Sequence, residues 1–246
     1  MRSRSRFLLL AILVAVGVAA SADAQGQSDE WQFQIAPLYL WATDINGTMT
    51  VRDSFDQDFG VDFKDAFDNL EAGFTVHFEA SKGRWGLLAD AFYLNLADSR
   101  EINTPGGIAD VEIETLILEG AGGYQFADQW WVIAGVRYFK LDSDIGFQLE
   151  IAPSIQVTES WTDLFAGVLW RPQLGKRWQF AGRFDVGAGG SDLVWNASAV
   201  IDYRLGKWVA ILAGYRHLDY DYKNQNTGIK YDMSLSGPVV AFRFFW

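Results

Sequence analysis

Twelve ionisable side chains sit inside stretches that are otherwise apolar or aromatic: His77, Glu79, Asp90, Glu119, Arg137, Asp163, Arg183, Asp185, Asp202, Arg204, Arg216 and Arg243. Among them Asp90, Glu119, Asp163 and Asp185 oppose Arg137, Arg183 and Arg216, so the signs nearly cancel. Opposite charges held away from water have two uses. They pair into a network that fills space, because buried charges survive only when paired and hydrogen-bonded, or they line a narrow path for a small solute or ion. Spacing alone leaves both open.

A second group has the makings of an enzyme. In "RHLDYD" His217 and Asp219 stand two apart on one strand face near the outer rim, and Asp142 and Asp144 occupy a comparable place on another rising segment; by parity His217 faces outward, so an interfacial structural histidine is the plainer reading. A histidine beside a carboxylate is the material of general-base hydrolysis. No local His-x-Ser pairing supplies a nucleophile for acyl transfer, and His77 with Glu79 reads as deep ion-pair filler. Two histidines and no cysteine exclude zinc-finger and HExxH patterns. The two "GAGG" strings at 120–123 and 187–190 lack the Lys-Ser/Thr of a phosphate loop. No metal centre and no cofactor is expected. The acidic run Asp53, Asp56, Asp58, Asp62 offers oxygen ligands for Ca²⁺ or a divalent bridge to lipopolysaccharide, but its spacing is not that of an EF-hand, and a solvated loop is the plainer reading.

The elements that carry these charges alternate. In the closing "SGPVVAFRFFW", Pro238, Val240, Phe242, Phe244 and Trp246 share one face while Arg243 lies on the other, since strand side chains switch sides at each residue. "WQFQIAPLYLW" places Trp31, Phe33, Ile35, Pro37, Tyr39 and Trp41 together. Comparable apolar faces are Phe74, Val76 and Phe78; Leu87, Ala89, Ala91 and Tyr93; Val132, Ala134, Val136 and Tyr138; Leu164, Ala166, Val168 and Trp170; Phe180, Phe184 and Val186; and Ile201 and Tyr203. Such faces, with charge opposite, fit strands that have lipid on one side and an enclosed polar space on the other.

Strands are expected at about 31–45, 70–81, 84–98, 111–126, 130–143, 158–171, 177–188, 194–205, 208–222 and 230–246. Short turns ("SKGR", "ADQ", "PQLGKR", "LGK") alternate with long polar segments at about 43–69, 99–110, 143–158, 188–194 and 221–230. The expected fold is all-β: a closed antiparallel transmembrane β-barrel of about ten strands. Eight is an alternative, and twelve follows if 43–60 forms its own membrane hairpin; 61–70 reads as a short helix.

Residues 1–24 form an expected cleaved signal peptide: Arg2, Arg4 and Arg6, then 14 apolar residues from Phe7 to Ala20, then Ala22-Asp23-Ala24. Residues 25–246 form the single barrel domain, without a linker or composition break. The charge is −11; without three Arg and Asp23 of the leader, 17 basic residues face 30 acidic ones, which disfavours nucleic acid as a partner.

The signal peptide, the amphipathic strands, "YLWATDINGT", the repeated "GVRYFKLD" and "GYRHLDYD", and the terminal "FRFFW" resemble the OmpA/OmpW-like class of outer-membrane β-barrels of Gram-negative bacteria, and a poorly characterised proteobacterial barrel family within it. The resemblance covers the whole mature chain. It implies the cell outer membrane, contact with lipid and lipopolysaccharide, and insertion by the barrel-assembly machinery, which reads a final strand here carrying Val240, Phe242, Phe244 and Trp246; Trp246 stands where Phe is commoner. The expected role is structural or a porin-like narrow passage for a small solute or ion, non-enzymatic. The alternative is an enzyme with its site at the external rim, lipid A-modifying or resembling the omptin proteases, ten-stranded barrels with Asp-His and Asp-Asp pairs at the mouth. The His-x-Asp order here departs from theirs.

Overall fold

The computed structural model describes residues 29–51, 55–61, 70–101, 108–147, 155–224 and 228–246. The signal peptide, the core of the expected helix at 62–69 and the middle of the acidic first segment lie outside the described residues. Thirteen strand segments are present: β1 Gln32–Pro37, β2 Leu40–Trp41, β3 Asp44–Val51, β4 Phe55–Val61, β5 Leu70–Lys82, β6 Trp85–Glu101, β7 Ile108–Ala127, β8 Trp130–Phe147, β9 Ile155–Trp170, β10 Trp178–Gly189, β11 Leu193–Arg204, β12 Val209–Lys223 and β13 Ile229–Phe245.

These segments build ten walls. Consecutive strands from β5 to β13 pair antiparallel, and β1 closes the sheet by pairing with β5 on one side and β13 on the other. Phe33 and Trp246 exchange two backbone hydrogen bonds of 3.0 Å across that closure. β1, β2 and β3 form one interrupted wall, each pairing in turn with β13. β4 folds back on β3 beyond the wall and pairs with no other strand among the described residues, so the hairpin does not raise the count to twelve.

Beyond the first wall, the apolar faces named from alternation point outward. Phe74, Leu87, Val132, Val136, Leu164, Phe184, Val186, Ile201, Val240 and Phe242 are exposed, a surface that water would not tolerate as a continuous belt. Aromatic rings bracket it: Trp130 stacks on Trp170 at 5.5 Å and Trp178 meets Tyr203 at 4.6 Å near the short turns, with Tyr93, Tyr138 and Tyr215 towards the other end. A closed ladder leaves no unpaired wall edge in hydrocarbon, and an apolar belt between aromatic girdles is the surface of a transmembrane barrel of the outer-membrane type.

Two expectations need correction. The alternation of the first wall does not run through: Leu38 adopts a left-handed backbone (φ 56°), which reverses the parity. Trp31 and Pro37 face out, but Tyr39 and Trp41 turn into the lumen and are 6% and 4% exposed. The tuck is possible because Gly237 lies against Ala42, where any side chain would strike the Ala42 carbonyl oxygen. The second correction concerns the long polar segments, part of which is strand: the β6–β7 ladder runs on to Glu101↔Ile108 and β8–β9 to Ile145↔Ile155. Beyond the membrane a paired strand can be polar on both faces, so hydropathy does not mark its end.

Candidate functional site

The ladder decides which charges meet. His77 lies opposite Asp90, Asp90 opposite Glu119, Glu119 opposite Arg137, and Arg137 opposite Asp163, a direct row across β5 to β9. Opposed residues on one sheet face have Cβ atoms about 4.5–5.5 Å apart. Because barrel strands tilt, a row perpendicular to them winds up the wall. The row therefore starts low at His77, crosses mid-depth at Glu119 and Arg137, and ends near the long-loop side at Asp163.

At mid-depth the knot is tight. Arg137 is fully buried; its Nε donates to Glu119 at 2.9 Å and its Nη2 reaches Glu119 at 2.7 Å and Asp185 at 2.8 Å. Arg183 donates from Nε to Asp185 at 2.7 Å and from Nη1 to Glu119. Asn196 donates to Asp185 at 2.9 Å and accepts from Arg216 at 3.0 Å; Arg216 also lies 3.6 Å from Asp90. Glu119 thus serves three guanidinium groups, since Arg216 stands 3.8 Å from it. Phe165 lies under Arg137 (4.7 Å) and Arg183 (5.3 Å), and Trp41 under Arg216 (4.7 Å), placing ring faces against charge.

A lower tier closes towards the short turns. His77 meets Asp90 through Nδ1 (3.0 Å) and Glu79 through Nε2 (2.9 Å), and Glu79 also accepts from Arg171 and Gln34. Tyr39 donates to Asp90 at 2.8 Å, and Arg243 pairs with Asp202 at 3.2 Å. With a carboxylate on each ring nitrogen, His77 has none left to take a proton from a substrate. Between the tiers is a cavity of about 130 Å³ with Leu88, Leu169, Leu212 and Val239 in its walls. Across both tiers five anions (Glu79, Asp90, Glu119, Asp185, Asp202) stand against five arginines (Arg137, Arg171, Arg183, Arg216, Arg243) and His77, so each buried charge has an opposite partner.

Above Arg137 the lumen is filled by rings. Phe139 stacks on Trp161 at 4.5 Å, Trp161 on Tyr222 at 4.0 Å, and Tyr220 meets Phe139 at 5.0 Å. Phe92, Ile117, Leu218, Met233 and Leu235 belong to the same buried cluster, which reaches down to Tyr39 and Trp41. At its upper edge the buried carboxylate of Glu159 accepts from Tyr222 at 2.9 Å and from Asn224.

The fold brings together ten of the twelve residues read from the sequence. Asp163 is buried but accepts instead from the backbone N–H of Ser191 at 2.8 Å, holding the β10–β11 turn. Arg204 is exposed at the short-turn mouth, over the Phe245 ring at 5.0 Å. Arg171, Asn196, Tyr39 and Gln34 were missed. Arg171 shares parity with Asp163, Phe165 and Leu169, so alternation carried through the end of the strand would have found it. Tyr39 was hidden by the reversal at Leu38.

The rim pairs do not assemble. His217 is 3.8 Å from Asp219, but it stands on the outward face, packed on Trp195 at 4.5 Å. Asp142 pairs with Lys140 on β8, separated from β12 by three intervening strands, and the Asp144 side chain lies outside the described residues, as do those of Asp53, Asp56, Asp58 and Asp62. Val240, Phe242, Phe244 and Trp246 all face outward and are exposed.

No family model matches the chain, and no curated protein matches it. Among solved structures it is similar to the translocator domain of the autotransporter NalP from Neisseria meningitidis (TM-score 0.47, 14% identity, 98% of this chain and 95% of that one). It is also similar to the outer membrane protease OmpT from Escherichia coli (0.46, 8%, 92% and 100%) and to Ail, the attachment invasion locus protein of Yersinia pestis (0.45, 8%, 87% and 99%). The barrel assignment rests on the closed hydrogen-bonded ladder itself.

Proposed function

We propose that this chain is an integral outer-membrane protein that acts as a sealed, non-enzymatic scaffold, its lumen stopped at mid-depth by the Arg137 network and above it by the aromatic cluster. The observation that carries this reading is Arg137 itself: fully buried, held by Glu119 and Asp185, and roofed by Phe139 and Trp161. It lies seven residues above Trp130, about 18 Å along the membrane normal at ~3.3 Å rise and a tilt near 40°. A solute on a through path would have to displace both a paired charge and a stack of rings. The structural half of the expected role is favoured over the narrow passage. Lipid and lipopolysaccharide are its partners around the belt, and the barrel-assembly machinery its partner at β13, whose outward Val240, Phe242, Phe244 and Trp246 suit such a signal.

The test is conductance of the refolded protein in planar bilayers. The wild type is expected to be silent; reproducible unit steps from clean preparations, altered by Arg137→Ala, would establish the passage reading in its place.

A further inference from the structure

We propose that the short-turn mouth of the barrel, which faces the periplasm in barrels of this type, is a binding site for a small multivalent oxyanion. Below the Glu79–Arg171 pair the lumen widens into a funnel of about 770 Å³, whose charged side chains are Arg171, Arg204, Lys207 and Arg243 against Glu79, with the terminal carboxylate of Trp246 also in its wall. Four cations to two carboxylates is the reverse of the chain as a whole, which carries −11. The excess has an address. Glu79 takes up Arg171 and Asp202 takes up Arg243, while no carboxylate among the described residues pairs with Arg204 or Lys207. Arg204 is positioned by the Phe245 ring, which leaves its charge uncompensated.

A second observation points to an oxygen acceptor. Nε of Arg243, which lines both the funnel and the cavity above it, is shielded from solvent and has no hydrogen-bond partner. Buried charged donors of this kind are costly unless an acceptor meets them. A concave basic site with low-dielectric walls concentrates anions, and guanidinium groups match the planar oxygens of carboxylate and phosphate. Enclosure within the wall suits a solute rather than a lipid surface, and several charges converging on one funnel suit an anion with more than one.

Calorimetric titration of the refolded full chain in detergent, at low ionic strength, with citrate and with inorganic phosphate as probes, tests the site. Saturable binding of citrate is expected, weakened at least tenfold in Arg204→Ala/Lys207→Ala and again by added salt, and unchanged in Lys82→Ala, which removes a cation from a turn outside the funnel. Both funnel positions are exposed, so the double variant keeps its fold, checked by circular dichroism. Absence of saturable binding by either probe, or equal binding by the double variant, overturns the proposal. Conductance is a separate outcome: a barrel that conducts yet binds citrate through Arg204 and Lys207 keeps this site and loses the sealed-lumen reading.

Discussion

Below Arg216 the barrel holds charged side chains around a cavity and a funnel; above it, aromatic side chains pack against one another. The same wall surrounds both halves. The lower half carries its arginines on short turns and strand ends, such as Arg171, Arg204 and Arg243, where the guanidinium can reach the aqueous mouth. The upper half is filled by Phe139, Trp161, Tyr220 and Tyr222, whose rings bury large area at low conformational cost. The difference teaches that a barrel can be closed by either of two chemistries, and that this one uses them in series: the ionic tier needs partners for every charge, and the aromatic tier above it keeps water from competing for them. Arg137 stands at their boundary, and its surroundings explain why it is fully buried.

The sharpest way to break this division is to remove the hub of the ionic tier. Glu119→Ala leaves Arg137, Arg183 and Arg216 facing one another without their shared carboxylate. A loss of about 3–5 kcal/mol is expected, read as the urea midpoint in lipid vesicles, and a loss below about 1 kcal/mol would mean that the network is not what holds the lumen shut. In the aromatic tier, Phe139→Ala opens a hole between Trp161 and Tyr220 and should cost about 3 kcal/mol. It should nevertheless stay silent in bilayers, because the ionic tier beneath still closes the lumen; conductance in this single variant would show that the rings alone are the seal. The smallest effect separates Asp163 from the network. Asp163→Asn keeps an acceptor for the Ser191 N–H and should shift the midpoint by under about 1 kcal/mol, whereas Asp163→Ala leaves that donor buried and should cost about 1–3 kcal/mol. Were Asp163→Asn the more damaging, Asp163 would belong with Arg137 after all.

Much of the wall was legible because each strand repeats one alternation many times. Leu164, Ala166, Val168 and Trp170 need no partner to declare a lipid face, and the structure turns all four outward. Tyr39 and Trp41 were misassigned because a single left-handed residue, Leu38, reverses every side chain after it, and nothing in the alternation records one dihedral. The charged residues were found as a set but not as pairs. Asp163 faces Arg137 on the ladder and still bonds elsewhere, since the climb of the row carries it to the β10–β11 turn. Arg204 has the right parity and the wrong depth.

What the sequence determined by itself was the side of the wall on which each residue of a regular strand must stand, because solvent preference and a period of two are local properties. Only the tertiary structure decided how high each charge sits and which one it meets, because strand tilt and the register of ten walls are set by closure of the whole sheet. The hollow mouth and the filled outer half follow from those heights.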